Sequence, residues 1–252
     1  MIQRLLVAFA CSLLATAAAA EPADVAAAVA APGRSAEHVA LDEVRRPAEA
    51  LRWLGLERGD RVLDYFTGSG YYAEIMARAV GPEGAVLGTN PPHFMGNERI
   101  RASLAGISER APNADFYAMP VASPAFPPDS FDFVMLHLVY HDAYFESARF
   151  GLPRIDPNDL TRALYAATRP GGIIAVIDHV AAGGRDTRAE VEATHRIDPA
   201  VIRADFERAG FVLDGESDLL RNPDDDRSVN VFDPAIRGRT DRIVYRFRKP
   251  GR

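Results

Sequence analysis

Residues 61–80 read RVLDYFTGSGYYAEIMARAV. Val62 and Leu63 form an apolar strand core, Asp64 ends it, Gly68 and Gly70 turn the chain, and Tyr71–Val80 has helical periodicity closed by Gly81. A strand that turns this tightly into a helix sends the helix back across the sheet, so the next strand lies parallel to the first. The same unit then recurs. Strands are expected at Arg61–Phe66, Ala85–Thr89, Asp115–Ala118, Phe131–Leu138 and Ile173–Val180, with helices over Tyr71–Val80 and Glu98–Arg110. Asp156-Pro157 and Asp198-Pro199 each join a side-chain cap to a proline at the first helical position, and so start two more helices. A further helix is expected over Asp42–Leu56, its second part opened by Pro47. This alternation predicts a mostly parallel sheet covered by helices on both faces.

The tail departs from the pattern. Phe211–Leu219 and Arg242–Arg248 are strand-like with no helix between them, which requires an antiparallel pair. Ile243, Tyr245 and Phe247 alternate with Arg246 and Arg248, as on an edge strand.

Glycines 68 and 70 let a ligand approach the backbone and leave the next helix's amides facing a polar group, although a tight ligand-free turn has the same residues. Asp64 and the turn further resemble, together with FDFVMLHL and RPGGIIAVID, the successive motifs of class I S-adenosylmethionine-dependent methyltransferases. GSGYYAEIMA, NPP, IDHVA and RGRTDRIVYRFRKP resemble a group of exported methyltransferases within that superfamily, in which an aromatic residue tends to stand at the first glycine position, here Phe66. The resemblance implies an α/β, Rossmann-like doubly wound sheet of seven strands with the last antiparallel and helices on both faces. It implies S-adenosyl-L-methionine as cofactor, a methyltransferase activity, and a small-molecule acceptor that the motifs do not identify. The cofactor residues expected from it are Asp64, Thr67, Gly68, Gly70, Tyr71, Asn90, Met119 and His137.

Two other readings stay open at this level. Gly68-Ser69-Gly70-Tyr71-Tyr72-Ala73 also satisfies the G-x-G-x-x-A pattern of an NAD-binding oxidoreductase. Either ligand would want an acid at the end of the second strand, where Thr89-Asn90 stands instead; the antiparallel ending favours the methyltransferase. An exported, non-catalytic ligand-binding protein of the same fold is the second alternative.

Methyl transfer needs alignment, exclusion of water and, for a protonated acceptor, a base. HLVYHD and IDHVA end strands at the carboxyl rim, where ligands collect. His141 and His179 are the candidate bases there, and Tyr140 the candidate positioning group. No metal is expected, because His137 and His141 on a strand end do not reliably share a face. His93 and His195 are expected at the surface or in loops. The long segment between the last two strands offers Arg221, Arg237 and Asp241 to shape a lid or pin the loop, and Asp224–Asp226 as a solvated acidic turn.

Arg4, the apolar run Leu5–Leu14 and Ala17–Ala20 before Glu21 have the form of a secretory signal peptide, residues 1–20, too short for a comfortable membrane span. The expected product is periplasmic or otherwise exported, with a loose lead-in at 21–41, a methyltransferase-like domain at 42–252, and no membrane span after cleavage. Its sole cysteine, Cys11, leaves with the leader, which excludes disulfide and thiol chemistry. The net charge of −6, with no basic block, excludes nucleic acid as primary partner.

Overall fold

A computed structural model describes residues 21–122 and 124–251, so the signal-peptide expectation lies outside the described residues. Ahead of the sheet come four short helices: α1 (Val25–Ala30), α2 (Ala36–Val39), α3 (Asp42–Arg45) and α4 (Pro47–Leu54). Pro47 does open a separate helix, and Arg46 at φ 46° makes the break between α3 and α4. The core then alternates β1 (Arg61–Asp64), α5 (Tyr71–Val80), β2 (Ala85–Asn90), α6 (Pro92–Met95), α7 (Glu98–Arg110), β3 (Ala114–Ala118) and β4 (Phe131–His137). It continues with α8 (Pro157–Ala167), β5 (Thr168–His179), α9 (Thr187–Thr194), α10 (Pro199–Ala209), β6 (Val212–Ser217) and β7 (Arg242–Arg248).

The seven strands form one sheet in the order β3-β2-β1-β4-β5-β7-β6, with β7 antiparallel to both neighbours. Val62, Phe133, Met135, Ala175, Ile177 and Val244 face α1, α4, α5 and α7 in one apolar layer. Leu63, Val134, Leu136, Val176, Ile243 and Phe247 face α8 and α10 in the other. Central strands buried on both faces account for the continuous apolar runs of β4 and β5. The order reverses between β1 and β4, which run side by side with Leu63 opposite Val134. Their loops diverge and leave a crevice beyond their carboxyl ends.

Three expectations are corrected. The lead-in at 21–41 is folded: Val25 and Ala28 are buried in the first layer, and Arg34 pairs with Asp42 at 2.7 Å. Its alanines read as featureless composition, but small side chains are what let α1 pack closely on α5. β7 is not an edge strand. It lies between β5 and β6, with Arg246 and Arg248 neutralised by Asp214 of β6. Asp225 is no solvated turn residue, since its side chain and that of Arg196 are both fully buried and meet at 2.6 Å.

Candidate active site

Beyond the ends of β1 and β4 lies a cavity of about 480 Å³, within the usual range for small-molecule sites. The turn after β1 forms one wall through Phe66, Thr67, Gly68, Ser69 and Tyr71. Gly68 has φ 61°, and a Cβ there would meet nothing within 4 Å, so the position faces open space. Gly70 also has positive φ, but its Cβ would stand 2.5 Å from Ile107, so this glycine lets α7 approach. Phe66 takes φ 59°, the left-handed conformation that favours glycine, and packs its ring at 4.8 Å on Phe94. Of five non-glycine residues with positive φ among the described residues, Phe66, Leu138 and His195 line this cavity. Backbone strain of this kind persists where the surroundings enforce it, and it concentrates at functional sites.

Several expected cofactor residues support the wall from behind. Asp64 is buried and accepts from the Thr67 hydroxyl at 2.5 Å; burial pushes its carboxyl up to about 7. Asn90 accepts from Gly68 N–H and donates to Gly68 C=O, both at 2.9 Å, so its amide clamps the turn from a buried position outside the cavity lining. Met119 sits at the end of β3, donating its N–H to Asn90 C=O, away from the cavity lining. Thr67, Gly68, Tyr71 and His137 do line the cavity.

Two groups fit the amino-acid end of S-adenosylmethionine. Arg45 lines the cavity with its guanidinium 4.3 Å over the Tyr71 ring, and it has no hydrogen-bonded acceptor among the described residues. His137 Nε2 is buried without a partner, beside the equally unpartnered Tyr72 hydroxyl. Arg45 escapes sequence reasoning because it sits on α3, outside the glycine turn, and only tertiary packing carries it there.

The opposite wall comes from β4, β5 and the segments after them. His141 and Asp142 sit on a 3-10 turn, Tyr140–Tyr144. Asp178, at the end of β5, accepts from His141 Nδ1 at 2.8 Å and from His141 N at 2.9 Å. Burial opposes a charge on His141, but Asp178 and Asp142 outweigh it and hold the imidazolium up to about 9. His179 Nδ1 lies 2.8 Å from the Thr240 hydroxyl, and burial together with the neighbouring His141 charge takes it down to about 3. The two histidines therefore rest in opposite charge states near neutral pH.

Tyr140 is not part of this wall. It is fully buried in the second layer, donating to Asp205 at 2.7 Å, because three residues per 3-10 turn put Tyr140 on the core-facing side with Ala143. His195, expected in a loop, follows α9 at φ 52° and lines the cavity between Phe145 and Phe232, with ring centroids 4.6 and 4.9 Å away. The Asp186 cap that starts α9 was the available signal for it. His93 is exposed, as expected. In the 221–241 segment, Asp241 accepts from Arg221 and Arg227, while Val231 and Phe232 close the cavity. Arg237 is exposed and forms no ion pair among the described residues.

A family model described as protein-L-isoaspartate(D-aspartate) O-methyltransferase matches residues 35–99, which span α3, α4, the glycine turn and β2. The demethylmenaquinone methyltransferase of Listeria welshimeri is 30% identical over 135 residues, 52% of this chain and 49% of that protein. The chain thus matches about half the length of the curated relatives of this kind. Among solved structures, a S-adenosylmethionine-dependent methyltransferase from Aquifex aeolicus aligns with TM-score 0.57 and 15% identity, over 86% of this chain and 94% of that one. An arsenic(III) S-adenosylmethionine methyltransferase from Chlamydomonas reinhardtii aligns with TM-score 0.55 and 18% identity, over 92% and 74%. At such identities the structural likeness is one of fold, and it agrees with the strand order and antiparallel β7. Fold, glycine turn and sequence matches converge: the chain has the fold of the class I S-adenosylmethionine-dependent methyltransferases, and the matched parts of its sequence are similar to methyltransferases.

Proposed function

We propose that the protein is a methyltransferase acting on a small-molecule acceptor with an apolar, planar body. The observation that carries this reading is Arg45, a cavity-facing cation without a hydrogen-bonded acceptor, set beside the open face of Gly68. A guanidinium in that position binds a carboxylate with two parallel hydrogen bonds. Thr67, Tyr71 and His137 surround the same end, and Phe66 and Phe94 offer aromatic faces to a purine. S-adenosylmethionine, when bound, supplies an electrophilic methyl group.

Phe145 and Phe232, beside His195, line the other half of the cavity and favour an apolar acceptor there. They also exclude water from the line of transfer. His179, neutral and with Nδ1 engaged by Thr240, leaves Nε2 to accept the proton of a hydroxyl acceptor as the methyl is transferred, when the attacking oxygen has become acidic enough for a weak base. His141, held by Asp178, lines the same side of the cavity.

Calorimetric titration of the purified protein with S-adenosylmethionine, S-adenosylhomocysteine and NAD tests the reading. Both adenosyl ligands should bind, and NAD should not. Arg45→Ala should weaken adenosyl binding by roughly tenfold to a hundredfold, the loss of one charge-assisted contact. No heat with either adenosyl ligand, or heat with NAD alone, would overturn it.

A further inference from the structure

We propose that His141, Asp142 and His195 form a binding site for one divalent first-row transition ion of the zinc class, with a coordination position open to the cavity. One ligand atom from each side chain lies within 4.8 Å of the others, and His141 Nε2 is 3.5 Å from Asp142 Oδ1. Ligands that share an ion at about 2.0–2.2 Å each stand at most about 4.4 Å apart, so small side-chain shifts close the set. Two imidazole nitrogens and one carboxylate are the donors of open zinc and iron(II) sites, whereas magnesium and calcium select oxygen ligands.

Three further features mark the cluster as built. Asp178 engages His141 through both Nδ1 and the backbone N–H, which leaves Nε2 directed toward Asp142, where a bound ion would replace the proton that the metal-free ring carries. A buried carboxylate behind a ligating histidine is the usual means of orienting the ring and raising its basicity. His195 is held in a left-handed backbone conformation, and its imidazole makes no hydrogen bond among the described residues. Its ring is walled by Phe145 and Phe232, an apolar shell that keeps competing water from the ligands. The ligands come from two chain segments, the turn after β4 and the end of α9, whose rings His141 and His195 meet edge to face at 5.6 Å. Nothing in this geometry depends on methyl transfer.

The full chain, stripped with EDTA and dialysed, would be titrated with zinc chloride by calorimetry and with cobalt(II) chloride by visible absorption. The expected result is one equivalent of zinc per chain, with a Kd on the order of a micromolar or tighter, and cobalt ligand-field bands of a low-coordinate site. His195→Asn should weaken zinc binding by roughly a hundredfold and abolish the cobalt spectrum, while asparagine tolerates the left-handed backbone and keeps the fold. Asp178→Asn should weaken binding by about tenfold to a hundredfold, and His93→Ala, at an exposed position, should change nothing. His141→Ala removes a buried ring and can unfold the protein; His195→Asn then decides. Absence of zinc binding to the wild-type chain, or full-strength binding by His195→Asn, would overturn the proposal.

Discussion

At the scale of single residues, the glycine turn separates two kinds of glycine that the sequence presents alike. Gly68 faces open cavity, whereas Gly70 faces Ile107 and Leu104. Gly68→Val should therefore leave the packed layers intact while filling ligand space and straining a positive-φ backbone. Gly70→Ala would bring a methyl to within 2.5 Å of Ile107 and should cost about 2 kcal/mol or more through overpacking and left-handed strain. Denaturant unfolding read alongside calorimetry separates them: Gly68→Val should lose adenosyl binding with a folded spectrum, and Gly70→Ala should shift the unfolding midpoint. The reverse pattern would put the ligand elsewhere. Phe66 adds a second lesson. It keeps the left-handed conformation of the position while supplying a ring that packs on Phe94, so an aromatic side chain replaces glycine at some cost in strain.

At the scale of elements, the 221–241 segment is held by charge rather than by secondary structure. Arg196 and Asp225 are completely buried against each other, and Arg196 also donates to the carbonyls of Val229 and Val180. This fastening sits next to Val231 and Phe232, so it positions the cavity's apolar roof. Arg196→Met leaves a buried carboxylate unpaired and should destabilise the protein by about 3 kcal/mol or more. Arg196→Met/Asp225→Leu should regain part of that loss in thermal unfolding, because an apolar pair removes the stranded charge. A double variant less stable than the single one would mean that the Asp225 carboxylate holds the segment through the Asp241 N–H, from which it accepts at 2.7 Å, rather than through the ion pair. Neither residue is marked in the sequence. They are 29 positions apart, and Asp225 stands among aspartates that read as solvated.

At the scale of the whole molecule, the parallel core and its antiparallel ending were legible because periodicity and turn chemistry are local properties. The ends of α5, α7 and β7 follow directly from Gly81, from helical spacing and from alternation. Export remains a proposal, motivated by Arg4, the apolar run and Ala18-x-Ala20. Intact-mass measurement of protein from the host's envelope should give a chain beginning at Glu21; uncleaved protein confined to the cytoplasm would refute it. No helix among the described residues is long and apolar enough to cross a membrane. The glycine turn, the strand-helix alternation and the rim histidines His141 and His179 could be read from residue order, since each depends on neighbours a few positions away. Long-range packing decided the rest. It carried Arg45 and His195 into the cavity from helices outside the motifs, turned Tyr140 into the core, and spent the Asn90 amide on Gly68. A side chain's role depends on what it faces, and what it faces across a sheet is set by contacts between residues far apart in the chain.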